Sequence, residues 1–348
     1  MIRFLAVALA AILLTGTLAR ADWSPFERYE ETEFYDVPTC AYMGNSNVVC
    51  GARKRDGSIR WLRYLGRFFD AGLETRYRTL TRPECTLSRN TTYPAICAFN
   101  SGSGYLVVMG YVGGRGGFEK IAANGKALFS EIDCTFSGLP GPNSRGYICA
   151  WRNNLGRFDS TTGKGAARIF SKPSCATNGF GDTICTALGA QNNILAFQYD
   201  FSKNEIWRVI NLAGTGTSAP ECIPAADLEE IYCAVVGLDL KIWHTRFKGG
   251  AWSASNWLPW SSLQGAFATK PSCAYIGDRG IACTVGGARD SAVYGYSYQA
   301  GAWAAPVRID PGKSPGFVGE PSCTKVAQGR AICLALGIDS RIYYTFGP

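Results

Sequence analysis

The chain has 348 residues, of which 47% are hydrophobic and 18% charged, and its formal net charge is +8. That balance describes a globular chain and excludes a disordered one. No run of Lys or Arg exceeds Arg53-Lys-Arg55, so the basic stripe of a nucleic-acid binder is missing and nucleic acid is not an expected partner.

Residues 1–21 open with Arg3, continue through an apolar stretch from Leu5 to Leu14, and end Ala19-Arg20-Ala21. A charged start, a short apolar core and an A-x-A terminus predict a cleaved secretory signal. The mature chain then starts near Asp22 and forms one domain over 22–348. Losing Arg3 and Arg20 lowers the charge from +8 to about +6. No later stretch approaches the roughly 20 apolar residues of a membrane span, so the expected localisation is secreted or periplasmic.

Fourteen cysteines follow as seven close pairs: Cys40/Cys50, Cys85/Cys97, Cys134/Cys149, Cys175/Cys185, Cys222/Cys233, Cys273/Cys283 and Cys323/Cys333. Successive first members lie 45, 49, 41, 47, 51 and 50 residues apart. A period of that size with one pair per unit is the mark of a repeat architecture. In an exported chain an even cysteine count reads as a disulfide framework. The single histidine, His244, and the wide spacing inside each pair do not fit zinc. No metal or cofactor is expected.

The sixth unit gives the pattern within a repeat. Pro271 to Ile276 reads as a strand, Gly277-Asp-Arg-Gly280 as a turn and Ile281 to Val285 as the returning strand. Ala292 to Tyr298 and Ala302 to Ile309 supply a third and a fourth. Four strands in about 50 residues make one propeller blade. Proline stands two residues before the first cysteine in six of the seven units, a placement suited to the start of a strand. The third unit departs, with Ile132 in that place and an insertion, Gly138-Leu-Pro-Gly-Pro142, read as a surface elaboration. Asn90-Thr-Thr92 matches a glycosylation sequon, which matters only in a eukaryotic secretory route.

The ends complete the ring. Residues 323–348 and 22–39 together have the length of one repeat. Asp22-Trp-Ser-Pro-Phe-Glu-Arg ahead of Pro38-Thr-Cys40 parallels Ala302-Trp-Ala-Ala-Pro-Val-Arg ahead of Pro321-Ser-Cys323. The expected fold is therefore an all-β seven-bladed propeller. Each blade has four antiparallel strands and one disulfide, and the N-terminal strand closes the last blade.

Reactive groups are sparse. No H-E-x-x-H helix or phosphate loop occurs. Asp56, Asp239, Asp290 and Asp339 recur six or seven residues after the second cysteine of their units, which fits turn chemistry. A hydrolase would require two carboxylates brought together across blades. Aromatic residues are plentiful, at 9 Trp, 17 Tyr and 18 Phe. Most belong to the core, with a minority available as platforms for the C–H faces of sugars.

Gly237-Leu-Asp239-Leu-Lys-Ile-Trp243-His244, Gly249-Gly-Ala-Trp252, Trp257-Leu-Pro-Trp260-Ser-Ser-Leu263-Gln-Gly265 and Pro271 together resemble the repeat of PLL-type bacterial lectins. Gly337-Ile-Asp339-Ser-Arg-Ile-Tyr343-Tyr344 carries the same signature. The likeness is best in units five to seven. The cysteine pairs, and Gln264 where glycine is usual, depart from that family's pattern. The resemblance implies a seven-bladed propeller that binds fucose or related glycans in shallow pockets between blades.

The expected function is non-catalytic glycan binding by a secreted lectin. The alternatives are an extracellular scaffold for a protein partner and a glycan-active hydrolase. The candidate ligand residues are His244, Arg246 and Trp252 in unit five, Trp257 and Trp260 in the link to unit six, and Tyr343 and Tyr344 in unit seven. The aromatic groups would stack on sugar while His244 and Arg246 bond hydroxyls. Repeated weak sites would gain by avidity on a multivalent glycan surface.

Overall fold

A computed structural model describes residues 22–29, 33–66, 68–70, 77–87, 93–112, 117–127, 130–136, 147–162, 164–200, 206–225, 229–249, 253–299, 301–312 and 314–348. The expected signal segment, the sequon, the insertion of unit three and Trp252 lie outside these residues.

The chain folds as seven antiparallel sheets, each a meander of consecutive strands. The inner strands are Thr39–Gly44, Glu84–Leu87, Asp133–Phe136, Ser174–Thr177, Glu221–Ala225, Ser272–Gly277 and Phe317–Ala327. Each inner strand contacts that of the next blade, and the seventh contacts the first, so the sheets form a closed ring around a central channel. The closing blade takes its outer strand from the N-terminus. Glu27 pairs with Tyr344 and Arg28 with Tyr343, and the Ser24 and Tyr29 amides donate to the Phe346 and Ile342 carbonyls. Phe26, 2% exposed, anchors this segment among Val293, Ile309 and Phe317.

One detail of blade 6 differs from the sequence reading. Its outer strand is two short pieces, Ala302–Trp303 and Val307–Arg308. Pro306 lies in the gap, and proline has no N–H to give to a ladder.

All seven cysteine pairs are disulfides: Cys40–Cys50, Cys85–Cys97, Cys134–Cys149, Cys175–Cys185, Cys222–Cys233, Cys273–Cys283 and Cys323–Cys333. None of the fourteen is free. The two members of each pair face each other across the first hairpin of their blade. Their Cα atoms are 4.0–4.2 Å apart. The second members lie on the second strands and are fully buried. Cys50, Cys97, Cys149 and Cys185 are buried at 0% exposure, and Cys233, Cys283 and Cys333 are buried at 0–1%. Closing loops of this size contributes roughly 2–3 kcal/mol each on the chain-entropy view.

Apolar residues from adjacent blades interdigitate at every boundary. Between blades 3 and 4, for example, Phe158 stacks on Phe197 at 4.2 Å with Trp207 edge-on. Polar links repeat the same joint at the channel. The residue before each first cysteine is polar, and at four boundaries it accepts the amide of the next blade's first cysteine. These are Thr39 from Cys85, Asp133 from Cys175, Ser174 from Cys222 and Ser272 from Cys323.

A meander puts alternate turns on opposite faces of the ring. One face carries the disulfide-hairpin turns. The other carries the turns between second and third strands, together with the links from blade to blade. Every blade places a left-handed residue in the second turn: Gly57, Gly104, Gly156, Asn192, Leu240, Ser291 and Ser340. The recurrent aspartates serve these turns as expected. Asp56, Asp239, Asp290 and Asp339 accept the backbone amides of Ser58, Lys241, Ala292 and Arg341.

Candidate functional site

On the face of the second turns, clefts open between blades. The register of blades 5, 6 and 7 is fixed by equivalent turn bonds, in which Gly237, Gly287 and Gly337 donate to the carbonyls of Lys241, Ala292 and Arg341. In each, an aromatic group four residues after the turn aspartate donates to its carboxylate. Trp243 Nε1 reaches Asp239 Oδ1 at 2.9 Å, Tyr294 Oη reaches Asp290 Oδ2 at 2.8 Å and Tyr343 Oη reaches Asp339 Oδ2 at 2.7 Å. Burial works against the charge on Asp239, but the bonds from Trp243 and the Lys241 amide hold its carboxyl below the usual range.

The three boundaries differ in what lies over that aromatic ring. Between blades 4 and 5 the position six residues before the first cysteine is Gly216. Trp243 there lines a cleft of about 290 Å³ with Trp260, Leu238 and Ile194. Trp260 is fixed by its indole N–H, which donates to the Leu212 carbonyl at 2.9 Å. Between blades 5 and 6 the equivalent residue is Phe267, edge-on to Tyr294 at 5.6 Å. A cleft of about 240 Å³ remains, lined by Tyr294, Asp290, Arg289, Gln264 and Pro306. Between blades 6 and 7, Phe317 meets Tyr343 edge-on at 5.9 Å and Phe26 packs beside it. That position is filled.

The six sequence candidates among the described residues do not form one site. Trp260 lines the blade 4/5 cleft, although the sequence places it toward blade 6. Trp257 also faces blade 4, packed on Phe247 at 5.4 Å in the core between those blades. His244 points the other way, toward blade 6, with its ring 5.1 Å from Trp303 and 5.8 Å from Tyr232. Burial first, and then Arg246, lowers its pKa to about 4, so the imidazole is neutral at pH 7. Tyr343 is 1% exposed, which removes it as a stacking platform. Burial and the Asp339 bond push its phenol up to about 12. Tyr344 is half-buried, gives its hydroxyl to Glu27 at 2.6 Å and packs edge-on to Phe346.

The cysteines, expected from the sequence as disulfide staples, take that part. Cys50, Cys97, Cys149 and Cys185 are completely buried, as are Cys233, Cys283 and Cys333, and none of them lines a cleft described here. Their sulfurs are sealed between blades, so their role is that of a staple. Their partners, Cys40 to Cys323, stand at the wall of the central channel.

Arg246 belongs to a polar cleft of about 450 Å³ on the face of the disulfide hairpins, between blades 5 and 6. It binds Glu230 at 3.0 Å and lies over the Tyr298 ring at 5.7 Å. Glu229 and Asp278, from different blades, line the same cleft. A cross-blade set of carboxylates is the arrangement a hydrolase would require, so this cleft is where that reading has a place.

The central channel, about 430 Å³, ends in a charged belt. Lys172 binds Glu84 at 2.5 Å and lies 3.8 Å from Asp133, Lys270 binds Glu221, and Arg82 lies 3.9–4.0 Å from Glu84 and Glu320. Burial, with Glu84 nearby, raises Asp133 to about 7. Burial opposes ionisation of Glu84 too, but Lys172 and Arg82 outweigh it and keep that carboxyl low. Sequence reasoning missed both the belt and the Trp243–Asp239 pair. The polar residue before each first cysteine, and the fixed four-residue step from aspartate to aromatic, were the available signals.

Among the described residues no cluster is arranged to hold a metal ion, and no helix is long and apolar enough to cross a membrane.

A closed ring of seven blades with aromatic clefts between neighbours defines the structural class. No protein-family model and no curated protein matches the sequence. Solved structures do share the β-propeller architecture, the blade number differing in the Aleuria aurantia lectin, which has six. The BP39L lectin from Burkholderia pseudomallei is 13% identical with a TM-score of 0.72, over 90% of this chain and 96% of that one. The Aleuria aurantia lectin in complex with alpha-methyl-L-fucoside is 10% identical with a TM-score of 0.57, over 83% and 100%. The WD40 domain of Toxoplasma gondii coronin is 12% identical with a TM-score of 0.58, over 94% and 86%. At such identities the likeness is one of fold.

Proposed function

We propose that the protein is a secreted, non-catalytic carbohydrate-binding propeller of the PLL type that holds glycans in the inter-blade clefts beside the second turns. The blade 4/5 cleft carries this reading. Two tryptophans, Trp243 and Trp260, line a solvent-facing recess with an oriented carboxylate, Asp239. Large aromatic faces suit the C–H faces of a pyranose, and a few fixed polar groups orient its hydroxyls. The blade 5/6 cleft repeats the arrangement with Tyr294 and Asp290. Two of the neighbours above are lectins by name, and one is bound to a fucoside. Seven disulfides fit an oxidising compartment.

The test is a screen of immobilised glycans with the oxidised protein, followed by competition with free monosaccharides. Saturable binding to a related set of glycans, displaced by one sugar, is expected. A blank screen with a folded sample would falsify the reading.

The protein-partner reading draws on a different observation. Five residues before the first cysteine, Tyr35, Leu80, Phe170 and Val318 are all exposed on the face of the second turns. An apolar ring of this kind suits a macromolecular surface. Retention of a protein from extracellular material, undisturbed by any free sugar, would favour that reading. The hydrolase reading is checked by product release from glycans in the presence of Glu229→Gln and Asp278→Asn controls.

A further inference from the structure

The two open clefts share a scaffold and differ in charge. At the blade 4/5 boundary the walls beside the Trp243–Asp239 pair are Leu238, Ile194 and Trp260. The nearby Lys241 lies 3.7 Å from Asp239 and balances it. The residue paired with Trp243 on the outer strand is Ser262, which is uncharged. That recess is aromatic and electrically neutral.

The blade 5/6 boundary is cationic instead. The turn of blade 6 has one residue more between its glycine and its aspartate than the turns of blades 5 and 7, and Arg289 stands immediately before Asp290. Arg289 is exposed and lines the cleft. Tyr294 is paired on the outer strand with Arg308 rather than serine. Directly opposed residues project from the same side of a sheet, and the Arg308 charge is felt at the Tyr294 phenol. Neither arginine side chain makes an ion pair with a described residue. Asp290, the one carboxylate in the cleft, is already engaged, with Oδ2 bound by Tyr294 at 2.8 Å and Oδ1 by the Ala292 amide at 3.3 Å. One guanidinium, Arg289, thus lines the cleft and a second, Arg308, stands beside Tyr294 at its edge, against one committed carboxylate.

From this contrast we infer that the blade 5/6 cleft selects a sugar bearing an anionic substituent, a carboxylate or a sulfate, while the blade 4/5 cleft takes a neutral one. The inference rests on the glycan-binding reading above. Guanidinium groups bind carboxylate and sulfate oxygens through paired N–H donors, which an ammonium cannot match. Tyr294 supplies the ring face beneath the sugar, and Gln264 offers a neutral donor and acceptor at the rim. One molecule would then carry two sugar preferences side by side on a single face, and would read glycans in which neutral and acidic residues occur together.

The experiment titrates the oxidised protein with matched triples of methyl glycosides: a neutral hexose, its uronate and its 6-sulfate. The glucose, galactose and mannose series are run with wild type, Arg289→Ala/Arg308→Ala and Trp243→Ala. The expected result is that at least one acidic sugar binds about tenfold or more tighter than its neutral parent at low salt. That advantage should shrink as salt screens the arginines and vanish in the arginine double variant. Neutral-sugar binding should survive the arginine changes and fail in Trp243→Ala. Whether uronate or sulfate shows the gain identifies the anion. An acidic sugar that binds no better than its parent, or equally well without the arginines, overturns the inference and leaves the lectin reading standing. If no sugar of either kind binds, both fall. Thermal melts confirm that the variants are folded; both arginines are exposed, so their loss should leave the fold intact.

Discussion

His244 shows how far placement governs the chemistry of a side chain. It lies between Trp303 and Tyr232, beside Arg246, and both burial and the neighbouring charge oppose its protonation. As the chain's one histidine, its ring-proton NMR titration needs no assignment. A midpoint near 4 is expected, and a midpoint near 6.5 would show an exposed ring. The sign for stability follows. The unfolded chain takes up this proton near 6.5 and the folded chain only near 4, so between those values the unfolded state binds more protons. Wild type should therefore lose stability as pH falls through that window, relative to His244→Phe measured in parallel. Trp257, three residues before Trp260, packs into the core, whereas Trp260, which the sequence singled out, lines the blade 4/5 cleft. Trp243 was not singled out, because its regular strand position reads as core. Tyr343 misleads for the complementary reason: its motif matches Trp243, and only the fold brings Phe317 and Phe26 over it.

At the scale of the element, the hairpins were the most legible part of the chain, since Pro, Cys, Gly and Asp mark where each strand starts and turns. Each cystine joins residues directly opposed in that first hairpin, with the second member buried. Cys273→Ala/Cys283→Ala should therefore cost about 2–3 kcal/mol in denaturant unfolding, with the ring still formed by its other six bridges. The second turn invites a gain. Ser291 is exposed and sits at φ 50°, where blades 1 to 3 use glycine. Ser291→Gly should stabilise by up to about 1 kcal/mol, read as a rise in the unfolding midpoint. The outer strands were harder to read. They pair on one side only, so a break such as the one at Pro306 is tolerated.

Across the whole molecule, closure was legible because the two chain ends sum to one repeat, and the N-terminal strand does pair with the last blade. The charged belt was not, because its members lie tens of residues apart in sequence and meet only when the ring forms. Lys172, in blade 4, reaches Glu84 in blade 2, and Arg82 of blade 2 faces Glu320 of blade 7. Removing Lys172 takes from the largely buried Glu84 its nearest cation and leaves it the more distant Arg82. Lys172→Met should thus cost about 3–5 kcal/mol in equilibrium unfolding, far more than the loss of an exposed lysine.

The arrangement of the blades brings Trp243 and Trp260 together from positions that look unrelated in sequence, and glycan recognition is assigned to that meeting point. Calorimetric titration of the best competing monosaccharide into wild type and Trp243→Ala, with melts run alongside, tests this most directly. Saturable binding in wild type that weakens tenfold or more in the folded variant, about 1.4 kcal/mol, is the expected result. Undiminished affinity in Trp243→Ala would contradict it and place the sugar elsewhere on the ring.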